Sequence, residues 1–351
     1  MKIFHNTRHA EHAGRQEMFR GRMVDCHEVP ARLQHVLDEL TRRPVGTLHA
    51  PAHDLPLDAA LRRVHSPDYL DFLASAWNEW VAMDPANAER DALPSVWPLA
   101  SQHGFRTDAP PRNFAARLGQ YAFDSGTPLM AGSWAAAREG AACALAAAQA
   151  VLNGERSAFA LTRPPGHHAG PAFMGGYCFL NNGAIAAQAL RDGGLARVAV
   201  LDIDYHHGNG TQTCFYERDD VLTVSIHGDP RTEYPFFLGH ADERGAGAGE
   251  GFNLNLPLPR GTGFEAWLGA LQRALQAVSD FAPQALVVPM GLDTFEGDPI
   301  SGFTLRSADY LQVGRALASL ELPTVITMEG GYAVAEVGIN AVNVLEGLVK
   351  G

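Results

Sequence analysis

Residues 198–210 combine an apolar run with a dense set of metal-binding side chains. The apolar run Val198–Leu201 is followed by two carboxylates and two imidazoles, at Asp202, Asp204, His206 and His207. A run of this length predicts a strand buried in a parallel sheet. Ligands of open α/β sheets bind just outside the carboxyl ends of such strands. Because Asp204 and His206 alternate along the chain, we predict that they bind one metal ion together.

Asp293 is a third candidate ligand, because it follows another apolar run, Leu286–Met290. Three protein ligands leave one coordination position open for water or substrate, which is typical of catalytic zinc sites. Carboxylates also bind other divalent metals, so these residue types favour zinc without fixing it. The alternative role for Asp293 is a helix cap after the strand.

His167 and His168 form a tandem pair in a turn rich in proline and glycine. Imidazole titrates near neutral pH, so one ring could take a proton from metal-bound water and return it to the leaving group. The alternatives are two more metal ligands or two solvated histidines. Tyr332 follows two glycines at another strand end, where its phenol could hydrogen-bond a developing oxyanion. Taken alone, it would be an ordinary aromatic residue in a turn.

Regular alternation of strands and helices from Ala158 onward predicts how these residues meet. It indicates an α/β fold with right-handed crossovers and a mostly parallel sheet covered by helices on both faces. The carboxyl ends of parallel strands share one edge, which would bring the four polar segments together. We find no internal repeat and no linker, so residues 1–351 are predicted to form a single domain.

The first part of the chain has weaker patterns. Lys2–Phe4 predicts a strand, Pro30–Arg43 a helix, and Ser66 with Pro67 the start of another helix. Residues 5–29 are predicted to be irregular. Residues 84–123 contain several prolines and scattered aromatic residues without a sustained period, which indicates an ordered excursion that forms an interface or a wall over the site.

Composition limits the classes of partner. The formal net charge is −12 and no basic stripe is visible, so nucleic acid is not expected to bind. The four cysteines form no CxxC pair, which is typical of reduced thiols in a cytoplasmic protein. No apolar run is long enough to span a bilayer and no signal peptide is visible, so no membrane association is expected.

Several segments together resemble the histone deacetylase superfamily, and they are most similar to its acetylpolyamine amidohydrolase branch. They are RPPGHHAG, GGYCFLNN, LDIDYHHGNGTQ, SIHGDP, LDTFEGDPIS and MEGGY, and the similarity runs nearly end to end. The resemblance implies an arginase/deacetylase fold and a zinc-dependent hydrolase that releases acetate and free amine from acetylated polyamines. An acetyl-lysine protein deacetylase, a catalytically silent binding module and an arginase-like enzyme with two manganese ions are the alternatives.

The resemblance also implies roles for individual residues. Zinc, or ferrous iron, would be bound by Asp204, His206 and Asp293. His167 and His168 would handle protons, with His168 as the general base, and Tyr332 would bind the carbonyl oxygen and then the oxyanion. Asp202 would support His167. Many relatives have Asp beside the second histidine where this chain has Asn209, and an amide cannot stabilise an imidazolium by charge. We have no role for His207, because alternation points it away.

A structural potassium ion is implied beside the zinc strand. Its ligands would be Asp202, main-chain oxygens of Asp204 and His206, and Ser225 with Ile226. A second potassium site would use carbonyl groups around Phe215 and Val221, but Arg218 replaces the small hydroxyl residue of some relatives.

The resemblance finally implies a narrow channel for the acetylated arm. Tyr177 and Tyr234 would form its walls, Ile300 and Asp124 would lie at its rim, and Glu17 would bind a distal ammonium. The alternative for Glu17 is an ordinary solvated carboxylate. Residues 84–123 would form the interface of a homodimer and narrow the entrance.

Overall fold

The computed structural model describes residues 1–97, 109 and 111–351. The strands are Lys2–His5 (β1), Gln16–Phe19 (β2), Arg22–Asp25 (β3), Thr47–His49 (β4), Ser157–Leu161 (β5), Val198–Asp202 (β6), Val221–Gly228 (β7), Asn253–Leu258 (β8), Ala285–Met290 (β9) and Thr324–Met328 (β10). The α-helices are Ala31–Arg42 (α1), Leu57–Arg62 (α2), Pro67–Met83 (α3), Phe114–Gln120 (α4), Ser133–Leu152 (α5), Asn182–Asp192 (α6), Asn209–Phe215 (α7), Phe264–Phe281 (α8), Asp309–Ala318 (α9) and Val334–Lys350 (α10).

Among the described residues, eight strands form the central sheet, in the order β4-β1-β5-β10-β9-β6-β7-β8. Each pairing between neighbours is parallel. The predicted α/β class, with a central parallel sheet and helices on both faces, is therefore confirmed. The last strand in the chain, β10, lies in the middle of the sheet between β5 and β9, although β5 and β9 are far apart in the sequence.

The sheet is apolar on both faces because successive side chains of a strand point to opposite sides. On β10, Ile326 joins a cluster that contains Leu33 of α1, Trp267 of α8 and residues of α9 and α10. Its neighbour Val325 joins the other cluster, which is built from the alanine-rich α5 together with α6. The small side chains of α5 let that helix pack closely on the sheet, and both layers hold the strand ends in fixed positions.

The prediction of irregular structure over residues 5–29 is wrong. The strands β2 and β3 form an antiparallel hairpin in which Phe19 pairs with Arg22. Arg20 and Gly21 connect them with φ angles of 48° and 81°. Positive φ at both central residues is the pattern of a type I′ turn, whose twist matches that of a hairpin. The strands are too short and too polar for alternation alone to predict them.

The excursion over residues 84–123 is only partly irregular. It contains a 3₁₀ turn at Pro85–Glu89 and the helix α4, whose N-terminal amides donate to the side chain of Asn113. Phe114 packs against Phe72 of α3, with ring centroids 6.3 Å apart. The absence of regular structure predicted for this segment is therefore wrong at α4. Residues 98–108 and 110 of the excursion lie outside the described residues.

Two smaller expectations concern helix ends and membranes. The predicted helix start at Ser66 is confirmed, because the Ser66 side chain accepts a hydrogen bond from the amide of Tyr69 and Pro67 begins α3. Within the part of the chain that the structure describes, no helix is both long enough and apolar enough to cross a bilayer.

Candidate active site

Asp204, His206 and Asp293 converge at the carboxyl ends of β6 and β9. One ligand atom from each lies within 4.8 Å of the others, and all three side chains are buried. Nδ1 of His206 lies 2.9 Å from Oδ2 of Asp293 and 3.4 Å from Oδ1 of Asp204. The sheet thus brings together three residues that the sequence placed on two different strands.

Backbone amides fix the orientation of both carboxylates. Asp204 accepts hydrogen bonds from the amide of His206 at 2.9 Å and from the amide of Gly330, after β10, at 2.9 Å. Asp293 accepts one from the amide of Tyr205 at 2.8 Å. Each carboxylate is therefore oriented by a backbone amide from a turn that follows another strand of the sheet.

The charges of this cluster favour an additional cation. Burial and repulsion from Asp204 raise the pKa of Asp293 to about 7. Burial opposes charge on His206, but hydrogen bonds and charge from Asp204 and Asp293 raise its pKa to about 10. Two buried carboxylates around one imidazole nitrogen thus attract positive charge, and this donor set fits a divalent metal with one open position.

The tandem histidines differ in their partners. His167 lies with Nδ1 2.9 Å from a carboxylate oxygen of Asp202, whereas Nδ1 of His168 lies 2.7 Å from the amide oxygen of Asn209. In both rings the hydrogen bond uses Nδ1, so Nε2 remains available for chemistry in the candidate active site. On His167, Nε2 lies 3.8 Å from Asp204.

These partners separate the proton affinities of the two rings. Burial lowers the pKa of His167, but the carboxylates of Asp204 and Asp202 outweigh burial and raise it to about 10. Burial, together with the nearby charges of His167 and His206, lowers the pKa of His168 well below its usual value. At neutral pH the His168 ring is therefore neutral and can accept a proton.

Tyr332 follows β10, and its side chain is buried. Its amide donates to Asp298 at 2.7 Å, and its ring lies 4.7 Å from the guanidinium carbon of Arg32. Burial raises the pKa of the phenol well above its usual value. The hydroxyl therefore stays protonated and can donate a hydrogen bond to a developing negative charge.

The motif MEGGY contains a residue whose contribution the sequence reasoning missed. Glu329 is fully buried, and its carboxylate accepts hydrogen bonds from the amides of Gly166 at 2.6 Å and His167 at 3.1 Å. It also accepts one from Thr327 at 2.9 Å. Glu329 thereby ties the histidine turn to the turn that carries Tyr332. An acidic residue directly after a buried strand was the available signal.

Another close group consists of His167, Cys178 and Glu329, all buried. The oxygens of Glu329 already accept three hydrogen bonds from the protein, so this carboxylate is less available to a metal. Burial also raises the pKa of the Cys178 thiol well above its usual value, which disfavours the thiolate that a metal needs. We therefore assign the metal to the first group.

A cavity of about 200 Å³ leads to the histidines. The residues that line it are Met18, Phe19, Arg20, Asp124, Ser125, Gly126, His168, Gly176, Tyr177, His206, Glu233, Tyr234, Phe236, Ile300 and Tyr332. Four of the five residues predicted for the channel are thus in its wall. The ring of Tyr234 lies 5.1 Å from that of His168, and the ring of Tyr177 lies 5.6 Å from that of Tyr332.

Glu17 and Asp124 support the aromatic wall. Glu17 is 1% exposed, lies 2.6 Å from Nδ1 of His27, and accepts a hydrogen bond from the Tyr177 hydroxyl at 2.9 Å. Asp124 accepts one from the Tyr234 hydroxyl at 2.8 Å and three more from Gly176, Gly126 and Thr127. Glu17 lies behind Tyr177, so it is not the solvated carboxylate that was the alternative.

The residues predicted for potassium lie on two neighbouring strands. Asp202 of β6 and Ser225 of β7 are register partners, and Ile226 follows directly. Asp202 also accepts a hydrogen bond from the amide of Asp204 at 3.0 Å.

The second predicted potassium group spans the end of α7 and the start of β7. Phe215 is the last residue of α7 and Val221 the first of β7. Between them, Arg218 forms a two-point ion pair with Asp220, with both distances 2.8 Å.

His207 packs away from the site, as the alternation along the strand predicted. Its Nε2 lies 3.1 Å from Oε1 of Gln212, and its ring lies 4.6 Å from that of His227. Gln212 also accepts hydrogen bonds from Asn253 and Asn255 of β8. His207 is thus part of a buried polar network that joins α7 to the edge of the sheet.

Comparison with known proteins agrees with this arrangement. The chain is 49% identical over 347 residues to acetylpolyamine amidohydrolase 2 of Pseudomonas aeruginosa, covering 99% of this chain and 98% of that one. It is 41% identical over 350 residues to acetylpolyamine amidohydrolase of Mycoplana ramosa, covering 99% of both. The crystal structure of acetylpolyamine aminohydrolase from Burkholderia pseudomallei superposes with a TM-score of 0.92 at 39% identity, covering 99% of this chain and 98% of that one.

The family model of the histone deacetylase domain matches residues 26–348 of this chain. That range includes every strand of the central sheet except β1, and it includes the candidate metal ligands, the histidine pair and Tyr332. The resemblance found in the sequence is confirmed, and the chain belongs to the histone deacetylase family.

Proposed function

We propose that this protein is a zinc-dependent amidohydrolase that removes acetyl groups from acetylated polyamines and similar small cationic amines, giving acetate and free amine. The observation that carries the proposal is the buried cluster of Asp204, His206 and Asp293 beside a histidine pair and a tyrosine at the end of a narrow cavity. The names of the relatives, which are 41–49% identical over nearly the whole chain, support the substrate class.

The chemistry follows from the protonation states of three side chains. A divalent metal held by Asp204, His206 and Asp293 would polarise the amide carbonyl and acidify a water molecule. His168 accepts a proton from the attacking water, because its own pKa is depressed. Tyr332 donates a hydrogen bond to the carbonyl oxygen as negative charge develops there. A protonated histidine then delivers a proton to the departing amine.

His167 is suited to remain protonated during this sequence. Its pKa of about 10 reflects the carboxylates of Asp202 and Asp204. A divalent cation held by Asp204 would offset part of that negative charge, while the hydrogen bond between His167 and Asp202 would still favour the protonated ring. We therefore assign the proton transfer to His168 and a supporting positive charge to His167.

Further features of the proposal concern ions and assembly. Potassium at Asp202, Asp204, His206, Ser225 and Ile226 is supported by the pairing of Asp202 with Ser225 across β6 and β7. Ferrous iron in place of zinc is compatible with the same donors.

We further propose a cytoplasmic homodimer that binds no nucleic acid and forms a single domain over residues 1–351, with the excursion 84–123 at its interface. The eight strands of the central sheet, which come from residues 2–328, support the single domain.

Acetate release tests the proposed reaction. We expect metal-loaded protein to release acetate from N-acetylputrescine faster than from an acetyl-lysine peptide, and metal analysis to give about one zinc per chain. A preference for the peptide would favour the protein-deacetylase alternative. Turnover that survives His168→Ala, with metal content unchanged, would contradict the mechanism.

A further inference from the structure

Residues 229–243, which follow β7, form one side of the cavity, and we call them the wall segment. They contribute Glu233, Tyr234 and Phe236 to the cavity wall. The exposed fraction rises from 3% at Glu233 to 46% at Phe236, so the segment runs from the buried part of the cavity to its entrance. The width of the entrance therefore depends on what holds this segment in place.

The wall segment is fixed at its inner end by two side-chain contacts. The hydroxyl of Tyr234 donates to Asp124 at 2.8 Å, and Glu233 lies 3.2 Å from the guanidinium of Arg260. Phe236 lies beyond both contacts and has a φ angle of 70°, which is rare for a bulky side chain. Such a conformation persists only where the surrounding structure enforces it. The segment therefore needs a second anchor on the outer side of Phe236.

That second anchor is the carboxylate of Glu243. Its Oε2 accepts hydrogen bonds from the side-chain amide of Gln212 at 2.7 Å and from the backbone amide of Gly239 at 2.9 Å. A third comes from the side-chain amide of Asn255 at 3.2 Å. Gln212 belongs to α7 and Asn255 to β8, so one oxygen joins the wall segment to two elements of the scaffold.

Gly239 brings the anchored part of the segment against two buried imidazoles. Its carbonyl oxygen lies 2.8 Å from Nε2 of His227. A Cβ atom at Gly239 would lie 2.8 Å from that nitrogen and 2.9 Å from Cγ of His207, and the φ angle of 111° also favours glycine. The wall segment can therefore approach this closely only at a glycine, and Glu243 binds the amide of that same glycine.

We propose that Glu243 is a positioning residue that keeps the cavity entrance narrow, so that slender acetamides are preferred over branched ones. Glu243 lies outside the described cavity wall, and it acts through Gly239 on the position of Phe236. The inference rests on the proposed deacetylation and specifies the shape of its cationic substrates.

Glu243→Asp and Glu243→Gln separate the reach of the side chain from its charge. Gln keeps an acceptor oxygen at the same distance from the backbone, whereas Asp keeps the charge and withdraws the oxygens by one methylene group. The measurements are kcat and KM for acetate release from N-acetylputrescine and from an analogue of equal charge that carries two methyl groups beside its ammonium. Melting of each variant checks that it is folded at the assay temperature.

We expect Glu243→Asp to raise KM for N-acetylputrescine and to lower the preference for it over the branched analogue by roughly threefold to tenfold, the effect of about one net hydrogen bond. Because the histidine pair and Tyr332 are unchanged, kcat should stay within about twofold of wild type. Glu243→Gln should retain the wild-type preference within about twofold, since its oxygen can accept the same three hydrogen bonds.

Asp242→Ala is the matched control, because Asp242 is the exposed neighbour of Glu243 and lies outside the described cavity wall. It removes one negative charge from the same segment and should leave KM and the preference within about twofold of wild type. An unchanged preference in Glu243→Asp, or equal losses in Glu243→Asp and Glu243→Gln, would overturn the proposal.

Binding separates this inference from the proposed reaction. Calorimetry in a His168→Ala background measures the affinity for the two acetamides without turnover. Weaker discrimination after Glu243→Asp in that background supports the positioning role even if neither acetamide is hydrolysed by the wild type. Equal discrimination with and without Glu243→Asp would refute the role, whatever the turnover.

Discussion

The hydrogen-bond partners of His167 and His168 give two adjacent imidazoles opposite proton affinities. A carboxylate supports His167, and an amide supports His168. Burial penalises charge on both rings, but only His167 has enough neighbouring negative charge to outweigh it. The partner of Nδ1 is therefore one of the groups that separate the proton affinities of the two rings.

Asn209→Asp should raise the pKa of His168, because a carboxylate 2.7 Å from Nδ1 stabilises the imidazolium. The general base must be neutral, so activity is lost as pH falls through this pKa. The acid limb of the pH–rate profile should therefore move to higher pH. An unchanged or lower acid limb, with metal content intact, would contradict the assignment of His168 as the base.

Tyr332→Phe should lower kcat by about 10²–10³, the usual effect of losing one oxyanion donor, with KM changed by only a few fold. Tyr177→Phe is the matched control, because that hydroxyl bonds Glu17 and the ring remains in the cavity wall. It should affect KM more than kcat. Equal losses of kcat in the two variants, with metal retained, would show that the Tyr332 hydroxyl has no special part in the reaction.

At the scale of elements, Glu329 joins the histidine turn to the turn that carries Tyr332, and Arg32 holds the second of these turns. Glu329 binds the amides that begin the histidine turn, and the guanidinium of Arg32 donates to the carbonyl oxygens of Glu329 and Gly331. The histidine pair and Tyr332 are thereby held at one mutual distance, although they follow different strands. A substitution at Glu329 should therefore affect the proton-transferring histidines and the hydrogen-bond donor Tyr332 together.

Glu329→Ala should leave two buried amides without acceptors, at a cost of about 1–3 kcal/mol for each. We expect kcat to fall more than tenfold with little change in KM, since the substrate contacts in the cavity remain. Glu329→Gln keeps one acceptor oxygen and should recover part of kcat. Activity and thermal midpoint measured together check this, and identical kinetics of the Ala and Gln variants would argue against the positioning role.

Elements could be predicted where an apolar run ends in a polar motif, as at β6 and β9. The hairpin β2–β3 could not, because its strands contain charged residues and lie on a surface where burial imposes no alternation. Thr47–His49 was missed for a related reason, since all three residues of β4 are exposed at the edge of the sheet. The turn pair Arg20-Gly21 was the one local signal for the hairpin.

At the scale of the whole molecule, the three candidate ligands and their partners could be identified from the sequence, but their mutual positions could not. Strand order decides those positions, and no local pattern indicates that β10 lies between β5 and β9. The same limit applies to Glu329, whose partners Gly166 and His167 are more than 160 positions away. Glu17 was linked to the channel, but only the fold placed Tyr177 in front of it.

Metal binding should stabilise the whole fold, because Asp204 and Asp293 repel each other when the ion is removed. Zinc at about 100 times its Kd should add about 2.7 kcal/mol to the free energy of unfolding. Calorimetric melting of chelator-treated protein, before and after zinc addition, measures this. Asp293→Asn should respond much less, and a wild-type midpoint that zinc leaves unchanged would speak against a metal at this cluster.

The place of β10 in the sheet has a consequence for synthesis of the chain on the ribosome. Translation proceeds from the amino end, so β5 and β9 emerge before the strand that must lie between them. Until Thr324–Met328 leaves the ribosome, both strands present open apolar edges that can pair with other chains. We therefore expect the unfinished chain to be most prone to pairing with other chains late in translation, and neither Glu329 nor Tyr332 can reach the site before that stage.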